Sequence, residues 1–453
     1  MGGRRSWSQE GVESAEIRRS LRELELASHF DAYERNLFDE GPHLTTSAAL
    51  PFGDEVRELA VEAYMRFIHG EVWHTGGGAR AMERELVAMM GELLGAEQAA
   101  GVITGGGSES NICALATAKA AAFLRRFPQV AEMEMRSAAD YLPVFELLAE
   151  FATEPHSVVM PAHTHYSLYK GCVLLGLTPV SVPPKDGTLY VVEPEAVAAA
   201  VQQDTIALVA TAGTWPFGTV DPVPAFADLA ARTGLYLHVD ACFGGYILPF
   251  LERAGYYKEP LPVWDFRLPA VCSISADLHK NGMAPPPASS LFFRDAELLK
   301  LARLVAPPFG TISGTRPTGP IAAAWTMLKR LGLQGFTQVA LHSMRLRDEM
   351  AAAVASIPGL KVLPDSRINL LTVYSEEIDL RPVIAALAER QWMVVTHEAP
   401  PPAAMCICTM PQNDGQVEPF VKDLAEAMAT AGAPIGALAD EEAFSLYGGM
   451  ELD

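Results

Sequence analysis

One lysine in this sequence has neighbours that suit covalent chemistry. Lys280 follows His279 at the end of a short β-like run that begins at Cys272. A lysine amine is a poor nucleophile at its ordinary pKa, so a lysine that forms a Schiff base must be partly desolvated or already held in that bond. Taken alone, a lysine in such a turn is more often a solvated surface residue. The stretches upstream favour the chemical role.

Two upstream stretches supply groups with which such a lysine would work. Asp240 ends the apolar run that starts at Leu237, a pattern typical of a parallel strand buried on both faces, and open α/β sheets bind ligands at the carboxyl ends of their strands. The glycine-rich turn Gly105–Ser108 leads into an apolar helix, whose first amides can bind phosphate. Each signal is weak alone. In this order, the phosphate turn, the carboxylate and the lysine predict a pyridoxal 5'-phosphate (PLP) enzyme of the aspartate-aminotransferase fold type.

Six ordered blocks of sequence carry a resemblance to one enzyme family. They are Thr104–Asn111, Pro161–Lys170, Ala212–Pro222, His238–Gly245, Ser273–Gly282 and Gly314–Gly319. Through them the chain resembles the group II PLP-dependent decarboxylases, in particular the branch of archaeal tyrosine/aspartate decarboxylases and sphingosine-1-phosphate lyases. The resemblance implies an α/β fold, with a fold type I (PLP-dependent transferase-like) large domain around a mostly parallel sheet of the seven-stranded type and a small α+β C-terminal domain. It also implies a homodimer with shared active sites.

The resemblance assigns catalytic roles to three residues. Lys280 would form the Schiff base with the cofactor aldehyde, and Asp240 would keep the pyridine nitrogen protonated. His165 would stack on the cofactor ring. The other residues that the resemblance places at the cofactor are Gly107, Ser108, Thr214, Ser275 and His279. The family commonly has Ser-Gly-Gly-Thr where this chain has Gly105–Ser108, so one side-chain donor to the phosphate is expected to be missing.

Three further residues are candidates for substrate binding. Trp73 and His74 belong to a glycine-rich break whose counterpart in the family lies near the active-site entrance. The alternative for these two is a loop that covers the core. Arg316 resembles a segment that reaches the phosphate or substrate region of the neighbouring subunit. Its alternative is a structural ion pair.

The type of bond that breaks is not fixed by these residues. The cofactor supports loss of carbon dioxide, retro-aldol cleavage or loss of a proton, and the orientation of the substrate chooses among them. Many group II decarboxylases carry a tyrosine on a loop after the lysine strand, but Val305–Ser313 contains none. Tyr166, Tyr169 or His165 could supply the proton to Cα instead, or such an acid could be absent.

Three functions remain open, in decreasing order of preference. An amino-acid α-decarboxylase is favoured because Phe243–Phe250 and Gly282–Arg294 are most similar to the archaeal decarboxylases. An aldehyde-lyase that cleaves a phosphorylated amino alcohol is the second, since Asp240–Cys242 and Ser273–Asp277 are similar to sphingosine-1-phosphate lyase. The third is an inactive PLP-binding homologue, which the complete set of Lys280, Asp240 and His165 argues against.

Composition limits the classes of partner. The chain of 453 residues is 49% hydrophobic and 20% charged, which is typical of a globular protein. Its formal net charge of −21 argues against a nucleic-acid surface, and no uncharged apolar run is long enough to span a membrane. The six cysteines lie mostly in apolar runs, and Cys406 and Cys408 lack zinc-ligand spacing. We therefore expect free thiols, no metal site and a cytoplasmic protein.

The pattern along the chain predicts four regions. These are an N-terminal arm with helices over 1–70, a large PLP-binding domain over 71–335, a small domain over 336–431 and an acidic tail over 432–453. Alternating strands and helices predict the parallel sheet of the large domain. The predicted strands are Ser157–Met160, Thr205–Thr211, Leu235–Val239 and Val271–Ser275, with Ser289–Phe293 closing the sheet.

The long helices and the C-terminal elements are predicted in the same way. Two helices, Ile321–Leu331 and Phe336–Ser356, are expected to lead into the small domain. The elements expected there are the strands Ile368–Tyr374 and Ala404–Met410 and the helices Leu380–Arg390 and Val417–Ala431.

Overall fold

The computed structural model describes most of the chain between residues 54 and 435. The described residues are 54–72, 77–133, 138–185, 188, 190–305, 310–390, 392, 394–397, 400 and 403–435. The predicted arm up to residue 53, the tail from residue 436 and the substrate candidates Trp73 and His74 lie outside them.

A seven-stranded sheet forms the centre of the fold, with strand order β1-β7-β6-β5-β4-β2-β3. Strands β2 to β6 pair in parallel, which confirms the predicted mostly parallel α/β sheet. Every residue of β4 and β5 is buried, because helices cover both faces of the sheet. The strands are β1 (Ala100–Thr104), β2 (Ser157–Pro161), β3 (Thr178–Val182), β4 (Thr205–Thr211), β5 (Tyr236–Asp240), β6 (Val271–Ala276) and β7 (Ser289–Phe293).

Strand β7 has the predicted bounds and belongs to the sheet, but it does not lie at an edge. It lies between β6 and β1 and runs antiparallel to both. Residues 277–288, which connect β6 to β7, contain no helix that could carry the chain across the sheet for a parallel return. The edges are formed by β1 and β3 instead.

Nine helices surround this sheet in the described part of the chain up to residue 305. They are α1 (Asp54–Arg66), α2 (Gly77–Leu93), α3 (Gly107–Arg126), α4 (Leu142–Phe151), α5 (Tyr166–Leu175), α6 (Pro194–Ala200), α7 (Val223–Thr233), α8 (Leu248–Arg253) and α9 (Ala296–Val305). Helix α3 contacts the sheet and begins at the glycine-rich turn, so the turn lies at the edge where the central strands end. No helix among the described residues is both long and apolar enough to cross a bilayer.

Helix α10 (Thr318–Ala355) connects the sheet to the C-terminal elements. Gly332 interrupts it with φ 56°, so the two predicted helices are the two segments on either side of this residue. The proposed domain boundary at residue 335 falls just after the break. The glycine matters because a positive φ of this kind strains residues that carry a Cβ.

The C-terminal elements form a small α+β layer with its own apolar core. A four-stranded antiparallel sheet has the order β11-β12-β9-β8, and β10 pairs with β13. The buried core between this sheet and its helices includes Trp392, Phe420 and Val354. The elements are β8 (Lys361–Val362), β9 (Leu370–Tyr374), β10 (Ile378–Asp379), α11 (Arg381–Glu389), β11 (Val395–His397), β12 (Ala404–Cys408), α12 (Val417–Ala431) and β13 (Ala433–Pro434).

Candidate active site

A cavity of about 1420 Å³ lies at the carboxyl ends of the central strands. Thr211 ends β4 and Asp240 ends β5, and the two are register partners. Lys280 lies in the turn after β6 and lines the same cavity. Parallel strands bring their carboxyl ends to one edge of a sheet, so residues far apart in sequence meet here. The predicted site residues that line the cavity are Gly107, Ser108, His165, Asp240, His279 and Lys280.

The amine of Lys280 has a carboxylate partner. Its Nζ lies 2.8 Å from Oδ2 of Asp277 and 4.1 Å from the centroid of the Phe243 ring. Burial by itself lowers the pKa of the amine, but Asp277, Cys242 and Asp240 outweigh it and raise the pKa above its ordinary value. Lys280 is therefore an ammonium ion in this state, and it must lose a proton before it can act as a nucleophile.

Asp240 is buried and accepts three hydrogen bonds. Its Oδ1 accepts from the N–H of Cys242 at 3.0 Å and from the hydroxyl of Ser275 at 3.3 Å. Its Oδ2 accepts from Nδ2 of Asn111 at 2.9 Å. Burial opposes the charge, but His165 and the hydrogen bonds from Cys242 lower the pKa, so the group is a carboxylate at neutral pH. Ser275, predicted to bind the cofactor phosphate, instead donates to this carboxylate and does not line the cavity.

His165 caps the N-terminus of α5 from the cavity wall. Its Nδ1 accepts from the N–H of Ser167 at 3.3 Å and lies 2.8 Å from the Ser167 hydroxyl oxygen. The imidazole also stacks obliquely on Tyr166, with ring centroids 4.2 Å apart. Burial lowers the pKa of His165, and Asp240 opposes this only in part. The ring is therefore neutral near pH 7.

The glycine-rich turn leaves space where side chains would clash. Gly106 precedes α3 with φ 152°, and no side chain caps the helix there. A Cβ placed on Gly107 would lie 2.7 Å from both carboxylate oxygens of Asp277 and from Sγ of Cys242. Glu109 holds the turn from the other side, since it accepts from the N–H groups of Gly105 at 2.7 Å and of Ser313 at 2.8 Å. The turn thus presents the N-terminus of a long helix to the cavity, where an anion would be stabilised.

A different threonine lines the cavity from the one predicted. Thr214 donates through its hydroxyl to the carbonyl of Thr219 at 3.3 Å and is not part of the cavity wall. Thr211 is part of the wall, and its buried hydroxyl has no hydrogen-bond partner among the described residues. The sequence could have indicated Thr211, because it is the last residue of an apolar strand. Asp240 occupies the same position on β5.

Arg316 is held away from the cavity. Its guanidinium pairs with the carboxylate of Glu83 and donates to the carbonyl of Ile103 at 2.6 Å, and both charged side chains are buried. It is not among the described residues that line the cavity. These contacts fit the alternative of a structural ion pair and not the predicted substrate contact.

The candidate proton donors are placed differently. His165 and Tyr166 line the cavity, whereas the hydroxyl of Tyr169 lies 3.1 Å from Oγ of Ser181 outside the wall. His163 also lines the cavity. Its Nε2 lies 2.9 Å from Oδ1 of Asp221, and its Nδ1 has no hydrogen-bond partner in the described part of the chain.

A mostly parallel seven-stranded sheet that brings a lysine, a strand-end carboxylate and a glycine-rich helix N-terminus to one cavity is the arrangement of a PLP-dependent enzyme of fold type I. Residues 73–372 match the family model described as the pyridoxal-dependent decarboxylase conserved domain. The chain belongs to this family.

Individual relatives agree with this assignment. The chain is 32% identical over 416 residues to the L-aspartate decarboxylase of Thermococcus kodakarensis, a match that covers 90% of this chain and 96% of the relative. It is 31% identical over 401 residues to a probable L-aspartate decarboxylase of Pyrococcus abyssi, covering 86% and 93%. A solved sphingosine-1-phosphate lyase of Burkholderia pseudomallei superposes with a TM-score of 0.78 at 29% identity, covering 95% and 94%.

The residues of the cavity fit PLP, the cofactor that the family implies. Lys280 offers an amine for the aldehyde, and Asp240 offers a carboxylate for the pyridine nitrogen. The first amides of α3, at Gly107 and Ser108, face the cavity and offer N–H donors for a phosphate. Oδ1 of Asp277 is buried without a hydrogen-bond partner among the described residues, so this wall still has a polar atom to satisfy.

Proposed function

We propose that this protein is an amino-acid α-decarboxylase. The observation that carries the proposal is the placement of Lys280 and Asp240 in one cavity, with Asp240 held as a carboxylate by three hydrogen bonds. The names of the archaeal relatives at 31–32% identity support decarboxylation over other reactions of the same cofactor.

The roles follow from charge and position. Bound PLP supplies an electron sink for the pair of electrons left at Cα when a bond there breaks. Asp240 would hold the proton on the pyridine nitrogen, and Lys280 would provide the amine for the aldehyde carbon. His165 would orient the ring, while the turn at Gly107 and Ser108, with His279, would hold the phosphate.

A second candidate is an aldehyde-lyase that cleaves a phosphorylated amino alcohol. The wall of the cavity is largely apolar and would accommodate a hydrocarbon chain. Its apolar residues include Ile112, Leu174, Trp215, Phe217, Phe243, Ile312 and Val395. The superposition on a sphingosine-1-phosphate lyase is the other observation in favour of this candidate. Among the described lining residues no arginine is present to bind a substrate phosphate, which favours the decarboxylase.

The deciding experiment follows carbon dioxide and aldehyde side by side. Purified enzyme loaded with PLP is offered aspartate, glutamate, tyrosine and other amino acids, and separately sphingosine 1-phosphate and shorter phosphorylated amino alcohols. Carbon dioxide together with the matching amine establishes the decarboxylase. Aldehyde without carbon dioxide establishes the lyase, and neither product from any substrate would point to the inactive homologue. The Lys280→Ala variant is the control, since it lacks the reactive amine.

We also propose that the enzyme is a cytoplasmic homodimer. Large apolar side chains are exposed beside the cavity, with Tyr166 50%, Val173 76%, Leu174 65% and Ile312 57% accessible, and a partner subunit would cover them. All six cysteines are free thiols, as suits a reducing compartment. Light scattering on the purified protein tests the dimer, and cell fractionation tests the location.

A further inference from the structure

One asparagine joins the two residues that flank the proposed cofactor ring. Asn111 lies in the first turns of α3 and is 1% exposed. Its Nδ2 lies 2.9 Å from Oδ2 of Asp240 and 2.9 Å from Oγ of Ser167, which in turn contacts His165. Its Oδ1 lies 3.1 Å from Nε2 of His238. Neither Asn111 nor His238 has a role in the reaction as described so far.

The direction of these hydrogen bonds follows from the Asp240 carboxylate. A carboxylate only accepts, so the amide group of Asn111 that meets Asp240 must be its NH₂. The amide oxygen of Asn111 then accepts, and Nε2 of His238 must carry a proton. Burial lowers the pKa of His238 to about 4, so its ring is neutral and its Nδ1 accepts from the hydroxyl of Ser273 at 2.9 Å. These buried hydrogen bonds therefore all point in one direction, from Ser273 through His238 and Asn111 to Asp240.

The second N–H of the Asn111 amide determines the direction of the hydrogen bonds that lead through Ser167 to His165, here called the His165 branch. It donates to the Ser167 oxygen, so the single hydroxyl proton of Ser167 is left to donate to Nδ1 of His165. The backbone N–H of Ser167 is directed at the same nitrogen. With two donors on Nδ1, a neutral His165 carries its proton on Nε2.

We infer that Asn111 is a positioning residue that holds Asp240 as a carboxylate and His165 as a neutral ring with its proton on Nε2. This inference rests on the proposed PLP-dependent function. A neutral imidazole N–H donates hydrogen bonds but does not release its proton near neutral pH, and the only lone pair of the ring faces Ser167. His165 thus keeps its one N–H on Nε2 and is not the acid that protonates Cα. Tyr166 is the other candidate for that step in the cavity wall.

The test is a measurement of histidine tautomers in the cofactor-free protein. ¹⁵N-histidine NMR distinguishes the two neutral tautomers and the imidazolium, with His165→Gln and His238→Gln used for assignment. We expect both rings to carry a single proton on Nε2 at pH 7 in the wild type. A wild-type His165 protonated on Nδ1, or on both nitrogens, would overturn the inference.

Asn111→Asp gives the matched perturbation, because it keeps the shape and replaces the NH₂ with an acceptor. The new oxygen lies beside Oδ2 of Asp240, so the two carboxyl groups share one proton and none is left for Ser167. Ser167 must then donate to the new side chain, so the proton of His165 should move to Nδ1 or the ring should become doubly protonated. His238 donates to either side chain and should keep its tautomer, which provides an internal control. An unchanged His165 in the folded variant would contradict the role of Asn111.

Cofactor binding separates the two branches of the network. Ser167→Ala removes only the His165 branch, whereas Asn111→Leu also removes the donor to Asp240. We expect the Kd for PLP to rise about 10- to 100-fold in Asn111→Leu, as for a lost hydrogen bond to a charged group, and much less in Ser167→Ala. Equal effects of both variants would show that Asn111 does not support Asp240. These measurements use no substrate, so they stand whether the enzyme releases carbon dioxide or an aldehyde.

Discussion

Lys280 and Asp277 form a close ion pair, with Nζ 2.8 Å from Oδ2. The two residues are one turn apart in the segment that follows β6, so the lysine brings its own counter-ion. The side chain of Asp277 also stands against the glycine-rich turn at Gly107. The carboxylate of Asp277 therefore contacts the amine of Lys280 and also lies next to the glycine-rich turn.

We expect Asp277→Asn to make the Lys280 amine reactive at lower pH. The Asp277 carboxylate raises the pKa of the amine, so its removal should lower that pKa and increase the fraction of neutral amine near pH 7. The measurement is the rate at which cofactor-free enzyme gains visible absorbance on addition of PLP, recorded as a function of pH. The profile should shift to lower pH in the variant, and Lys280→Ala should show no such absorbance. Superimposable profiles would show that Asp277 does not control the amine.

Gly107→Ala should weaken cofactor binding without unfolding the protein. The added Cβ would lie 2.7 Å from the Asp277 oxygens and the Cys242 sulfur, and the Asp277 side chain is short and already bonded to Lys280. We expect the Kd for PLP to rise by an order of magnitude or more, about the factor that 1.4 kcal/mol represents. Gly77→Ala is the control, because no atom lies within 4 Å of a Cβ at that position. Equal affinity in both variants would place the phosphate elsewhere.

Arg316→Met should cost stability and not substrate affinity. Removal of one partner from a buried ion pair leaves an uncompensated charge, which typically costs about 3–5 kcal/mol. Chemical denaturation gives the free energy of unfolding, and KM is measured on the folded protein. Arg330→Met is the matched control, since Arg330 pairs with Glu55 on the surface at 3.6 Å and such pairs contribute at most about 1 kcal/mol. A raised KM at unchanged stability would restore the substrate role of Arg316.

The cofactor-free protein should lose stability on mild acidification because of His238. Burial lowers the folded-state pKa to about 4, whereas histidine in an unfolded chain titrates near 6.5. The unfolded state therefore binds more protons than the folded state between these two pKa values. The contribution of His238 to the free energy of unfolding is complete above about pH 6.5 and declines as the pH falls toward 4. The expected loss is about 3 kcal/mol at 1.36 kcal/mol per pH unit. Unfolding curves from pH 7 to 4.5 test this, and His238→Gln should flatten the dependence. An equally steep dependence in the variant would assign it to other groups.

Tyr166→Phe should lower kcat with little change in KM. If Tyr166 supplies the proton to Cα, loss of its hydroxyl removes an acid worth about 10²- to 10⁴-fold in rate. Tyr169→Phe is the control, because its hydroxyl contacts Ser181 and not the cavity. Steady-state kinetics on the best substrate of the product screen provide the measurement. Equal rates for the two variants would assign the proton to another donor.

The sequence pattern was enough to predict that Asp240 and Lys280 lie at the carboxyl ends of neighbouring strands. Asp240 ends an apolar strand and Lys280 follows the next one, and the rule that strand ends share one edge of a sheet is enough to bring them together. The same rule would have selected Thr211, which is the register partner of Asp240. Thr214 was predicted from the resemblance and not from this rule.

Contacts between distant segments gave no local signal. Arg316 and Glu83 are 233 positions apart, and nothing near either residue indicates the pair. Asn111 lies 129 positions from Asp240, on a helix whose composition predicts only that it is buried. Strand β3 was missed because its residues are mostly half-buried or exposed and include Pro179, as edge strands allow. Tertiary context decides all three.

The position of β7 makes the support of the glycine-rich turn depend on a distant part of the chain. Strand β1 leads into the glycine-rich turn, yet its partner in the sheet begins only at Ser289, and the pairing Thr104↔Ser289 joins the two. Such non-local pairing forms slowly, and chains of this length fold through intermediates. While the ribosome is still producing the lysine segment, β1 has no neighbour and the phosphate turn has no support. We therefore expect the site to bind the cofactor only after β1 has paired with β7.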